Sequence, residues 1–163
     1  MSKILESLKD REVRRYDAGQ PVIREGEKTD CLYFLIEGSV EVLKDDVPVA
    51  VASQPGIVFG EMAVLLGVQH TATVRTVKPC SFYIVENPRE FFATSPAMCL
   101  HVCELLARRI DSLNKYLVDV KHQFEGHDHL GMVDKVLEAL LHRQPRERIR
   151  PKESTIRHGQ SMD

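Results

Sequence analysis

Residues 55–77 read PGIVFGEMAVLLGVQHTATVRTV, and no other stretch of the chain concentrates as much chemistry. Gly60 and Glu61 stand at the start of a short apolar turn that runs from Met62 to Leu66 and closes at Gly67. The first amides of a helical turn lack intrahelical acceptors and present the positive end of the local dipole, so they form an anion pocket. A carboxylate beside them accepts hydroxyls. Phosphate on the amides and sugar hydroxyl on the carboxylate is a combination that suits a nucleotide.

On either side of this turn the chain has the texture of β-structure. From Val13 to Glu86 short β-branched or aromatic runs (VRRY, PVIR, LYFLIEG, SVEVLK, VPVAVA, TATVRTV, SFYIVE) alternate with Gly, Pro and Asp. Seven or eight such strands predict an antiparallel jelly roll, because an all-β chain has to close or cover its sheet edges. Ahead of them, Ile4, Leu5 and Leu8 in SKILESLK have helical spacing.

After the strands, PREFFAT from Pro88 reads as a helical turn, and Ser95-Pro96 supplies an N-cap and first-turn proline for a long helix. Cys99, Cys103, Leu106, Ile110, Leu113, Leu117, Val120 and Phe124 follow an unbroken 4,3,4,3,4,3,4 spacing. That is a heptad seam, with Cys103, Ile110, Leu117 and Phe124 at a and the rest at d, and it predicts a homodimeric coiled coil. A second stripe, Met98, Val102 and Leu105, places the first half of the helix between barrel and partner. Gly126 is expected to end the helix, a shorter one is expected near Leu130 to Arg143, and Pro145 stops it.

Composition narrows the class of function. At 163 residues and 43% hydrophobic the chain holds one core plus appendages. No apolar stretch approaches the ~20 residues of a membrane span and no signal peptide is visible, so a soluble cytoplasmic protein is expected. The four cysteines, Cys31, Cys80, Cys99 and Cys103, lack zinc or disulfide-framework spacing and read as reduced, mostly buried thiols. Net charge is -2, but six cations against three carboxylates from Arg143 onward leave the tail at +3 and residues 1–142 at -5. An acidic body argues against a nucleic-acid groove on the folded part. No nucleophile-base motif, Walker loop or zinc-hydrolase motif is present, so no enzyme, cofactor or metal is expected. The polar loop His127-Asp128-His129 lacks further ligands.

The segment from YDAGQPVIREGEKTDCLYFLIEGSVEV through FGEMAVLLGVQHTATV and the long helix resembles the cyclic-nucleotide-binding domain family, over approximately Tyr16 to Phe124. The family includes catabolite-activator-type regulators, the kinase A regulatory subunit and nucleotide-gated channels. The resemblance implies a mainly β fold, a double-stranded β-helix (jelly-roll) barrel followed by a long C-terminal dimerisation helix. Together with the patterning of the remaining residues, this gives an expected division into residues 1–96 (N-terminal helix and barrel, with the phosphate-binding cassette at 58–74), 97–124 (long helix), 125–143 (short helix) and 144–163 (flexible basic tail).

By position, the resemblance makes the Phe59-Gly60-Glu61 triplet the head of the cassette. Glu61 would accept the ribose 2′-hydroxyl, and Gly60, Met62 and Ala63 would offer main-chain donors. Thr71 and Ala72 would sit beside the cyclic phosphate, and Asn114 could reach a purine edge from the long helix. The chain departs from the family in two places: the residues of the long helix that would cover the base are about Leu113 and Asn114, and His70 stands where an arginine usually binds the phosphate. Histidine is largely neutral near pH 7, and losing a charge-assisted bond of order 1.5–3 kcal/mol weakens binding roughly ten- to a hundredfold. Arg75 should face the opposite way in strand alternation. Either His70 binds as imidazolium, with affinity growing as pH falls, or the pocket has drifted to another anion or to none.

The expected function is a cAMP- or cGMP-binding sensor, homodimeric, signalling to a downstream protein partner. The family's regulators carry a winged helix-turn-helix after the long helix, for which residues 125–163 offer one amphipathic helix, so direct DNA binding is not expected. The competing readings are a scaffold protein with a degenerate pocket and a truncated regulator-type transcription factor that uses its basic tail.

Overall fold

The computed structural model describes residues 3–123. Phe124, the His127-Asp128-His129 loop, the expected helix at Leu130 to Arg143 and the basic tail lie outside the described residues. The chain divides into two compact units, Met1–Arg109 and Ile110–Asp163. In the first, α1 (Lys3–Glu6) precedes β1 (Glu12–Tyr16), β2 (Pro21–Ile23), β3 (Cys31–Glu37), β4 (Val40–Lys44), β5 (Val47–Ala52) and β6 (Val58–Phe59). Then come α2 (Glu61–Leu66), β7 (Thr73–Thr76), β8 (Cys80–Glu86), α3 (Pro88–Thr94) and α4 (Pro96–Gln123), which continues into the second unit.

The strands form two four-stranded antiparallel sheets, ordered β1-β8-β3-β6 and β2-β7-β4-β5. Alternate residues of β3 and β8 serve two different cores. Tyr33, Leu35, Phe82 and Ile84 join Val22, Ile23, Val40, Phe59 and Val74 in one cluster, to which both sheets contribute. Leu32, Phe34, Tyr83 and Val85 point the other way, onto Leu5, Leu8, Phe91, Met98 and Val102 of the helical segments. A sheet covered on both faces needs apolar residues at every position, which is why LYFLI and SFYIV read as continuous runs and not as alternating ones.

The two-residue strand β6 is an addition to the runs read from the sequence, and it places the cassette. It pairs with β3 at Tyr33↔Phe59 and Phe34↔Val58. Gly38 is the residue the turn between β3 and β4 requires: its φ is +104°, and a Cβ there would collide with the backbone of Pro79 and Cys80.

The stripe of Met98, Val102 and Leu105 packs on the helix-side cluster, as its spacing predicts. This rotation of α4 corrects the expectation for two cysteines. Because Met98 and Val102 are 2% exposed, the next residues on the helix, Cys99 and Cys103, turn outward and are exposed, not buried. Cys80 is buried and Cys31 half-buried, as free thiols. Along the heptad seam Leu106, Leu117 and Val120 are half-buried, while Ile110 and Leu113 are 52% and 47% exposed. No helix among the described residues is long and apolar enough to cross a membrane, and none of their His, Cys, Asp or Glu side chains group in threes that could hold a metal.

Phe34 is fully buried and meets Phe91 edge to face at 6.4 Å between centroids. Truncating it leaves a cavity under the helices, so Phe34→Ala should lower the unfolding free energy by about 3–5 kcal/mol in urea denaturation. Val51→Ala, on the exposed edge strand β5, should stay within ~0.5 kcal/mol.

Candidate functional site

The cassette hangs between two fixed points. At its head, β6 is tied to β3, and Leu35 N–H donates to the Ile57 carbonyl (2.9 Å) while Gly56 N–H donates to the Leu35 carbonyl (2.8 Å). At its tail, Gly26 N–H donates to the His70 carbonyl (2.9 Å) and His70 N–H to the Glu27 carbonyl (2.8 Å). Between them the chain turns sharply into α2 through Gly60, at φ +88°. A Cβ on Gly60 would lie 2.7 Å from the Cys31 carbonyl, so both conformation and space demand glycine. Gly67, also left-handed, ends α2 with its N–H on the Ala63 carbonyl, a glycine C-cap.

This frame sinks Glu61 to 3% exposure. An ionised carboxylate so placed needs a partner, and Arg109 of α4 supplies it. The guanidinium makes a close ion pair to Glu61 Oε1 through Nη1, and its Nη2 donates to the Val58 carbonyl at 3.0 Å. Burial pushes the Glu61 carboxyl above its ordinary value, and the Arg109 charge offsets that rise only in part. Just over two turns upstream on the same helix, His101 Nε2 lies 3.0 Å from the Gly56 carbonyl. Residues of α4 therefore hold the cassette at Gly56, Val58 and Glu61, beside the apolar contact of Met98 and Val102.

His70 is 5% exposed, with Nε2 2.6 Å from Thr29 Oγ1. Its Cε1 lies 3.6 Å from the point a Cβ on Gly60 would occupy, so the imidazole stands against the start of the cassette turn. Burial lowers its pKa from the ordinary 6.5, while the nearby Glu27 charge pulls it upward. Arg75 faces outward on β7 and pairs with Glu41 at 2.8 Å, away from this site.

Of the remaining residues singled out in the sequence, Phe59 and Ala63 are buried, Met62 and Thr71 exposed, and Gly60 and Ala72 half-buried around the same turn. Asn114 lies in the second unit, with its Oδ1 buried and without a hydrogen-bond partner among the described residues. Sequence reasoning passed over Arg109 and the Thr29 partner of His70. Arg109 sits at a g position flanking the seam, a place where a charge usually faces solvent, and only the docking of α4 gives it a buried partner. Met62, Leu65, Leu66 and Val68 also leave an apolar surface exposed on and after α2.

Residues 13–93 match the cyclic nucleotide-binding domain family model. A cAMP-dependent protein kinase regulatory subunit of Yarrowia lipolytica is 34% identical over 84 residues, covering 52% of this chain and 21% of its own. The cAMP-activated global transcriptional regulator CRP of Pasteurella multocida is 27% identical, covering 63% of this chain and 53% of that protein. The chain thus spans between about a fifth and about half of the length of these curated relatives. Among solved structures, cAMP-bound PfPKA-R superposes with a TM-score of 0.53 at 25% identity, over 67% of this chain and 36% of that one. The catabolite activator protein of Thermus thermophilus gives a TM-score of 0.60 at 19% identity, over 88% and 83% of the two chains, a likeness of fold. With its two four-stranded sheets, its glycine-framed cassette and the long helix that follows, the chain belongs through residues 13–93 to the cyclic nucleotide-binding domain family.

Proposed function

We propose that the chain is a cyclic-nucleotide sensor module whose ligand, cAMP or cGMP, seats in the cassette and is read out through α4, in a homodimer that passes the signal to a protein partner. The observation that carries this reading is the burial of Glu61 against Arg109. Glu61 occupies the cassette position that the family uses for the ribose hydroxyl, and its counter-charge comes from the helix that would carry the signal. A hydroxyl donated to this carboxylate changes the partner that Arg109 sees. Ligand and helix are then coupled through one side chain, and a ligand shifts an equilibrium only by such differential contacts.

The cyclic phosphate, on this reading, meets the amides of the α2 turn, Thr71 and His70. Burial disfavours the charged form of His70 in the free protein and lowers its pKa from the ordinary 6.5. An anion beside the ring favours the imidazolium and raises its pKa in the complex. Binding then takes up a proton between the lowered value of the free protein and the raised value of the complex, so affinity increases as pH falls through that interval.

A second reading has its own observation. Both polar side chains of the site are already engaged within the chain, Glu61 by Arg109 and His70 by Thr29. A scaffold that keeps the fold without a ligand would look the same.

Isothermal titration separates the two. The sensor reading expects heat with cAMP or cGMP, and roughly ten- to a hundredfold weaker binding in Glu61→Gln, from one lost charge-assisted hydrogen bond. No heat at millimolar nucleotide for the parent, with strong cAMP binding created by His70→Arg, establishes the scaffold. For the histidine, the parent should bind more tightly at pH 6 than at pH 8. His70→Arg should remove that dependence and tighten binding at pH 8 by a similar ten- to a hundredfold.

A further inference from the structure

Cys99 and Cys103 are the two thiols that no structural role absorbs. They lie one helical turn apart on α4, both free and both exposed. The neighbouring residues Met98 and Val102 are buried against the barrel, which fixes the direction in which the two thiols face. The other two cysteines are differently placed. Cys80 is buried, with Sγ 3.0 Å from the Lys78 carbonyl and 3.3 Å from that of Ser39, and Cys31 is half-buried; burial pushes both of these thiols up.

Cys99 and Cys103 also open the heptad seam, as its first d and a positions. Further along the same helix the seam offers Ile110 and Leu113 to solvent at about half of their full exposure. Knobs on a 4,3 spacing fit holes only on a helix of the same period. A second copy of this chain has that period, and a parallel, in-register pair sets each seam residue opposite its own counterpart. Cys103 then meets Cys103 and Cys99 meets Cys99, on the axis of the pair.

We propose that Cys99 and Cys103 are a redox-switched lock between two copies of α4, each cysteine bridging to the same cysteine of the other copy. The inference rests on the homodimer reading above. The oxidant is a low-molecular-weight disulfide such as oxidised glutathione. A Cys103 thiolate attacks one glutathione sulfur and releases one glutathione thiolate. The Cys103 thiolate of the second copy then attacks the protein sulfur of that mixed disulfide and releases the second. One S–S bond forms, one is lost, and two protein thiols have reduced one disulfide to two thiols. Transient bridges of this kind are the form disulfides usually take in reducing compartments. The lock closes within three turns of Arg109, so it fixes the helix that holds Glu61.

The test uses the full chain. Sedimentation of the reduced protein should give a dimer, about 37 kDa for two chains of 18.5 kDa. Oxidised glutathione should then produce a covalent 37-kDa band on a non-reducing gel, reversed by dithiothreitol. That band should persist in Cys31→Ala/Cys80→Ala and vanish in Cys99→Ser/Cys103→Ser, which should still sediment as a dimer when reduced. Peptide mapping of the oxidised parent should find Cys103–Cys103 or Cys99–Cys99 linkage, which keeps the test independent of how the variants fold. A reduced dimer that gives only glutathione adducts, or a bridge from Cys99 to Cys103 within one chain, overturns the lock and leaves the dimer standing. A reduced monomer overturns the dimer reading and the lock with it.

Discussion

A carboxylate at 3% exposure has lost nearly all of its water, and it stays ionised in the fold only if a positive charge reaches it. Arg109 is that charge, and it comes from a helix 48 residues further along the chain. The pair makes two statements about the molecule at once. The cassette that presents Glu61 cannot move without disturbing α4, and α4 cannot lift away without stranding a buried anion. Removing Arg109 alone is more damaging than replacing both partners, because Glu61 is then left buried without its counter-charge, whereas Arg109 itself stays in reach of water.

The rest of the first unit holds that pair in place. Two sheets share one core, and the reverse faces of β3 and β8 share another with the helices, so the sheet bearing β6 is a fixed wall. Two left-handed glycines, Gly60 and Gly67, bracket α2 and aim it. Paired backbone bonds at Gly26, Glu27 and His70 fix the return path. Against this wall α4 is seated by Met98 and Val102, with His101 and Arg109 reaching the same short segment from Gly56 to Glu61.

Much of this was legible in the sequence, for reasons that are local. Strand runs announce themselves by composition and by the glycines between them. Gly60 and Gly67 mark a turn that other residues enter only with strain, and the Met98, Val102, Leu105 stripe fixes the barrel-facing side of α4 by its spacing alone. The departures are tertiary. Strand β6 has two residues, too few for any periodicity, and exists because β3 offers it an edge. Arg109 carries no mark that distinguishes it from Arg108, which pairs with Glu104 along the helix surface. Cys99 and Cys103 sit among apolar neighbours and so read as core, but which side of a nearly all-apolar helix meets the barrel is decided by packing. His70 showed its departure from the family in the sequence, whereas its burial against Thr29 needed the fold.

The central claim is that a nucleotide at Glu61 is felt by α4. Amide hydrogen exchange with and without saturating cAMP or cGMP at pH 6 measures it most directly. The account predicts that protection changes together in two segments far apart in sequence, residues 58–72 of the cassette and the turns of α4 around His101 and Arg109. Protection that changes in the cassette alone, with α4 exchanging identically in both samples, would contradict it.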